Sequence, residues 1–193
     1  MRKIIFIIFS LAVIYVGVGC LLPDSVHVKR SVKIAAPAEE VYRHVADLRR
    51  WNSWSDLLPD EGSMSLQFIQ DETRKDIGYS WNTGGFTPQK RRLLITGDAW
   101  CDSISAKMSF AEDGIASSCF RFNEEAGKTK VEWDFKIDLG KGISARWRGP
   151  FIHHLISPDL NLGLHKLKAI SEENAAIHMN DLAADHPQQQ TTD

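Results

Sequence analysis

The stretch "VKIAAPAEEVYRHVADLRRWNSWS", residues 32–55, passes from a strand into a helix and leaves it through two tryptophans three positions apart. Upstream, "VHVKRSVKI" (26–34) alternates with the period of a strand: Val26, Val28, Val32 and Ile34 are its apolar members, and Lys29, Arg30 and Lys33 its expected basic outer face. Pro37 fits a first helical position, where a missing N–H does no harm, and Glu39 and Glu40 suit the positive end of the helix dipole. Val41, Val45 and Leu48 then make one inward stripe at i, i+4, i+7, bordered by Tyr42. Trp51 and Trp54 are placed to close the space between helix and sheet, either as contacts for a guest molecule or as a plug for one end of the core.

From residue 64 onward the pattern turns almost purely to β. "MSLQF", "DIGYSWNT", "KRRLLITG", "SISAKMSF", "IASSCFRF" and "TKVEWDFKIDL" follow one another, with breaks at Thr83-Gly84-Gly85 and Pro88, at Glu112-Asp113-Gly114 and at Ala126-Gly127-Lys128. Ile77, Tyr79 and Trp81 share one face, as do Val131, Trp133, Phe135 and Ile137. Short turns between successive strands imply an antiparallel meander. The chain then returns to helix in "RGPFIHHLISPDLNLGLHKLKAISEENAAI", read as two helices. Phe151, Ile152, Leu155 and Ile156 belong to the first, and Leu160, Leu164, Leu167 and Ile170 to the second, with Ser157 as its cap and Pro158 and Asp159 in its first turn.

The amino terminus differs in kind. Arg2 and Lys3 precede Ile4 to Leu22, where Ser10 is the one plainly polar side chain, and Pro23-Asp24 end the run. A helix rising ~1.5 Å per residue over that length roughly spans a hydrocarbon core, so the segment reads as a single-pass membrane anchor. A cleaved signal, with Gly17-Val18-Gly19 at the cut, and lipidation at Cys20 are the competing readings. Arg2 and Lys3 favour a cytoplasmic N-terminus and an exported domain, against the pull of Lys29, Arg30 and Lys33. The expected organisation is an anchor or signal segment over 1–23, one globular domain over 24–175 and a disordered tail over 176–193.

Lys and Arg total 23 against 25 Asp and Glu, and two of the basic residues precede the apolar run, so the globular part is acidic and unsuited to nonspecific nucleic-acid binding. Cys20, Cys101 and Cys119 show no metal or redox spacing. Folding the hairpin about Asp113 sets Cys119 opposite roughly position 106, too far from Cys101 for a bridge.

"IAAPAEEVY" (34–42), "ADLRRWNSWS" (46–55), "GKTKVEWDF" (127–135) and "GPFIHHLISPDLNLGLHKLKAI" (149–170), in that order, resemble the START-like superfamily, also called SRPBCC, in its bacterial polyketide cyclase/dehydrase and lipid-transport branch. The resemblance covers residues 25 to 172. It implies an α+β helix-grip fold, a curved antiparallel sheet wrapped around a long C-terminal helix with a hydrophobic cavity between them. Relatives bind lipids, sterols, polyketides or other apolar molecules, and some catalyse cyclisation or dehydration.

In such a fold Tyr42, Trp51, Trp54, Tyr79, Trp81, Trp100, Trp133 and Phe151 can all point inward and are the expected ligand-binding residues. No catalytic residue is identified, and no metal or cofactor is called for. The seven histidines are scattered, and neighbours His153 and His154 project about 100° apart on a helix. No nucleophile elbow, zinc motif, phosphate loop or dinucleotide fingerprint occurs. Asp71-Glu72 and Glu124-Glu125 are assigned to solvated turns, and Arg121 to the solvent side of its strand. The expected function is membrane-tethered binding of a hydrophobic small molecule or lipid, with no protein partner identified. The alternatives are a cyclase- or dehydratase-like enzyme acting on an aromatic or polyketide-like substrate, and a non-catalytic envelope interaction module.

Overall fold

The computed structural model describes residues 2–55, 57–58, 66–70, 77–82, 89–110, 114–140 and 142–185. Its elements are α1 (Arg2–Leu21), β1 (Ser25–Ile34), α2 (Ala38–Ala46), a 3-10 turn at Leu48–Arg50, α3 (Trp51–Trp54), β2 (Gln67–Gln70), β3 (Ile77–Asn82), β4 (Lys90–Ala99), β5 (Ser103–Phe110), β6 (Gly114–Glu125), β7 (Lys128–Asp138) and α4 (Ile143–Asp185). The breaks read at residues 83–85 and 88, the acids Asp71 and Glu72, the turn residues 112–113 and the tail from 186 onward lie outside the described residues.

The strands form one seven-stranded antiparallel sheet in the order β1-β7-β6-β5-β4-β3-β2. Its inner face carries Val28, Phe120, Trp133, Phe135, Ile104 and Leu93, all buried, and α4 packs chiefly against the β1 end. The β6–β7 turn uses Ala126 and Gly127, both at positive φ, the backbone that two-residue hairpins favour. Cys119 lies opposite Ser105, one position from where the sequence places it, and all three cysteines are free thiols.

Several sequence readings need correction. The C-terminal section is one helix of 43 residues rather than two, with Pro150 and Pro158 inside it. The inward stripe Ile152, Ile156, Leu160, Leu164, Leu167 stays in phase across Pro158. The last three are fully buried and contribute roughly 1.5–3 kcal/mol each, which outweighs the ~3 kcal/mol that an interior proline costs. Ser157 is therefore no cap; its hydroxyl accepts a hydrogen bond from Arg30 Nη2. Arg30 does not belong to the outer face either. It stands opposite Trp133 in register and reaches inward to α4, whereas Lys29 pairs with Glu132 on the outside. Finally, α4 continues to Asp185, into the segment expected to be tail.

The corner between β1 and α2 is held by carboxylates. Pro37 is the cap residue of α2 and not its first helical one, and it offers no side-chain hydrogen bond. Glu124 Oε2 accepts from Ala38 N at 2.7 Å, satisfying a donor that a helix start leaves open, and Glu172 Oε1 accepts from Ala35 N at 2.7 Å in the link before it. Glu124 is thus exposed but also positioned, and its negative charge suits that helix end.

At the amino terminus α1 is long and apolar enough to cross a membrane, a test that an anchor and a signal sequence pass alike. Its end is packed on the domain. Gly19 sits under Ile143 and Trp147, where an added Cβ would come within 2.4 Å of Ile143 Cγ2 and 2.9 Å of the Trp147 indole nitrogen. Tyr15 stacks on Trp147 at 5.3 Å, and Arg146 Nη1 donates to the Cys20 carbonyl.

Candidate functional site

The two tryptophans after α2 complete that helix. Its last carbonyls have no partner within the helix, and Trp51 Nε1 donates to Val45 O at 2.8 Å while Trp54 Nε1 donates to His44 O at 3.2 Å. Their rings meet each other at 5.0 Å and both meet Phe120, and Trp54 also contacts Trp133. Phe120 stacks on Trp133 at 4.7 Å, and Trp133 Nε1 donates to the buried Ser118 hydroxyl at 2.5 Å. Gly163 of α4 lets the helix approach, since a Cβ there would lie 3.3 Å from both Trp133 and the Trp54 carbonyl oxygen. Between α4 and the β6–β7 half of the sheet, Trp51, Trp54 and Trp133 therefore pack on one another and on Phe120.

An open space lies toward the other half, where α2 and the 3-10 turn face β2, β3 and the β4–β5 turn. A groove of about 500 Å³ is lined there by Tyr42, Leu48, Phe68, Ile77 and Trp100, with Arg43, Arg49 and Arg50 among its polar residues. Trp100 meets the Tyr42 ring edge-on at 4.8 Å, Phe68 meets Tyr79 at 5.6 Å, and the Arg49 guanidinium stands 5.9 Å from the Phe68 ring centre. Asp47 faces both Arg49 and Arg50, at 3.9 and 3.8 Å, so two guanidiniums share one carboxylate.

The polar element of this mouth depends on a bulge. Strand β4 shifts register between Ile95 and Gly97, so Leu93 and Ile95 stand opposite Met108 and Ala106, while after the bulge Asp98 stands opposite Ile104. The extra residue brings Asp98 to the inner side, opposite Ile104, where Tyr42 donates its hydroxyl hydrogen to Asp98 Oδ1. Burial, and then Asp98 itself, push the Tyr42 phenol above its ordinary range, so Tyr42 stays protonated as a donor.

Of the eight residues nominated from sequence, Tyr42 and Trp100 line the groove, and Trp51, Trp54 and Trp133 form the packed framework beside it. Tyr79 and Trp81 share the inward face of β3, Tyr79 against Phe68 and Trp81 buried. Trp100 is 65% exposed as the groove's outer lip. Phe151 does not point inward: it is 72% exposed on the far side of α4, because Ile152 and Ile156 take the inward positions. Sequence reading missed Phe68, Arg49 and Asp98. Phe68 was visible as an alternating apolar residue, but nothing in "LLITGDAW" except Gly97 hints at the bulge that turns Asp98 inward.

Two further depressions are polar. One of about 240 Å³ lies between α2 and α4, lined by Glu40, Arg50, Asn174 and His178 among others. Behind it the buried His44 holds Nε2 3.0 Å from Asn174 Nδ2 and 3.4 Å from Glu40 Oε1. Burial and the Arg50 charge lower the His44 pKa, with Glu40 opposing them. The other, about 670 Å³, is an open dish of mostly charged and polar side chains around the β6–β7 turn. The exposed His153 and His154 lie outside all three.

Comparison with solved structures finds this fold repeatedly. The di-domain ARO/CYC StfQ from the steffimycin biosynthetic pathway superposes with a TM-score of 0.59 at 12% identity, over 79% of this chain and 52% of that one, so the chain spans about half its length. ZhuI aromatase/cyclase from Streptomyces sp. R1128 gives 0.58 at 13% identity, covering 77% and 94%. TTHA0849 from Thermus thermophilus gives 0.55 at 17%, covering 78% and 99%. Comparison with curated protein sequences gave no match. The family model described as polyketide cyclase / dehydrase and lipid transport, a family of proteins that bind hydrophobic ligands or act as aromatase/cyclases, matches residues 25–172, and the chain belongs to that family.

Proposed function

We propose that this protein is a membrane-tethered carrier or sensor that binds an apolar molecule with an acidic head, such as a fatty acid or lipid, in the groove between α2 and the β2–β5 side of the sheet. The observation that carries this reading is the pairing within one groove of an apolar wall, Leu48, Phe68, Ile77 and Trp100, with the arginines 43, 49 and 50. An alkyl or aromatic body gains by leaving water against such a wall, and guanidiniums recognise carboxylate or phosphate. Tyr42 fixes one further polar point. Binding is favoured over chemistry because, among the described residues that line the groove, the hydroxyl is the Tyr42 phenol, held protonated and so a poor base. The tether reading rests on α1 and on its packing against Trp147 and Arg146, contacts that a removed signal sequence could not keep.

The test is native mass spectrometry of the full chain after gentle detergent extraction, with displacement of a fluorescent fatty-acid probe. A copurifying acidic lipid and probe displacement that weakens in the Arg49→Gln variant are expected. Absence of both a bound molecule and probe binding would reject the reading.

A further inference from the structure

We infer that the outward face of the first half of α4, presenting Trp147, Phe151 and Leu155, is a second membrane contact that lies in the interfacial zone of the bilayer entered by α1. This rests on the tether reading. These three residues recur every fourth position and so follow one stripe of the helix. That stripe lies away from the buried Ala145, Leu160, Leu164 and Leu167. Phe151 and Leu155 are 72% and 69% exposed, an unusual state for two large apolar side chains one turn apart. No surface of this chain covers them among the described residues, and the stripe is continuous with the contact that α1 already makes.

That contact fixes the depth. Trp147 stacks on Tyr15, and its indole N–H donates to the Tyr15 carbonyl. Tyr15 stands six residues before Leu21, the end of α1, about 9 Å along the axis at ~1.5 Å per residue. If α1 spans the membrane, Trp147 is held roughly 9 Å inside the end of the span, within the ~5–10 Å that interfacial helices reach. Tyr15 and Trp147 are also the aromatic types that settle at headgroup level. Phe151 and Leu155 continue the same exposed stripe one and two turns further along, and on this proposal they lie on the same surface. The occupant is therefore lipid, and the contact would stop the domain from swinging freely on its anchor.

The experiment uses the full chain, with Cys20, Cys101 and Cys119 each replaced by Ser, reconstituted into phosphatidylcholine vesicles containing phosphatidylglycerol. Single labelling sites are introduced as Phe9→Cys in α1, Phe151→Cys, Leu155→Cys and Met179→Cys at the far end of α4, and each is labelled with bimane. Quenching by doxyl-labelled lipid is expected to be at least about threefold stronger at 151 and 155 than at 179, which stays outside interfacial depth. Strong quenching at position 9 with none above the 179 level at 151 and 155 would overturn the docking surface while leaving the tether standing. No quenching at position 9 would overturn the tether and the docking surface with it. Concentration-dependent bimane excimer or cross-linking at 151 without lipid quenching would show a second copy on this face, and would also overturn the proposal.

Discussion

Truncating Trp133 tests whether the tryptophan cluster is packed core or the wall of a hollow. The Trp133 side chain is buried against Trp54, Phe120 and Phe135 and under Gly163, and its N–H is used by Ser118. Trp133→Ala removes the whole indole from a site whose neighbours are themselves wedged between sheet and helix, so transfer and cavity terms together should cost about 3–5 kcal/mol. The buried Ser118 hydroxyl loses its donor, adding up to about 1 kcal/mol. Since such a loss approaches the whole stability of a domain, Trp133→Phe is the companion variant, expected to cost about 1–3 kcal/mol. Urea unfolding of the full chain in mild detergent, followed by far-UV circular dichroism, gives midpoint and slope for both. Ser118→Ala should be less costly combined with Trp133→Phe than the two single losses added, by about 1 kcal/mol, because the pair shares one hydrogen bond. A Trp133→Ala loss below about 1.5 kcal/mol with unchanged slope would refute the reasoning, for it would mean that the indole faces a void and that the interior is a ligand chamber after all.

Trp100→Ala should leave stability within about 0.5 kcal/mol, since the ring is largely exposed, yet weaken an apolar probe in the groove about tenfold, read by fluorescence displacement. Glu124→Ala should cost about 1 kcal/mol in urea unfolding through the lost donor partner at Ala38, while Glu125→Ala, its exposed neighbour, should be near neutral. For His44 the folded pKa lies below the unfolded value, so the unfolded chain takes up the proton first as pH falls and stability is lost below about pH 6.5, by at most about 1.4 kcal/mol per pH unit. Glu40, Arg50, Asn174 and His178 surround the site, so His44→Gln, compared with the wild type over that range, isolates the term; an unchanged slope would remove His44 as its source.

The order of elements was legible because burial imposes periodicity. Val26, Val28, Val32 and Ile34, and likewise Val131, Trp133, Phe135 and Ile137, alternate because one face of each strand is wet. That signal reports which residues leave water. It does not report what they leave water for, so a packed indole such as Trp54 and a lip such as Trp100 look alike in sequence. Phe151 was misplaced for a related reason: a helix that is apolar on two sides gives no clue to which side meets the sheet. The roles of Arg30 and Glu124 were missed because a long polar side chain can satisfy a distant hydroxyl or helix end from a position that local pattern assigns to solvent; Glu124 does so while remaining exposed. The one-residue slip in β4 that aims Asp98 at Tyr42 carries no periodic signature at all.

The position of the groove follows from where bulk was spent. Strands β6 and β7 send Phe120, Phe122, Trp133 and Phe135 inward, and α3 adds Trp51 and Trp54, so the space between α4 and that half of the sheet is occupied by rings. Strands β4 and β5 offer Leu93, Ala106 and Met108, smaller or more flexible groups, and α4 packs chiefly against β1 at the other edge. A seven-stranded sheet packed on one helix set to one side leaves room opposite it, and that room is what Tyr42, Phe68, Ile77 and Trp100 line. Gly163 has a decisive part in this asymmetry. By admitting the Trp133 ring and the Trp54 carbonyl to van der Waals contact it lets α4 settle onto the packed half, and a larger residue there would push the helix outward and loosen that packing. The same lateral placement sets Trp147, on the outer side of α4, against Tyr15 and Gly19 of α1, so the residue that fills the core on one side of the helix also determines which side meets the apolar helix.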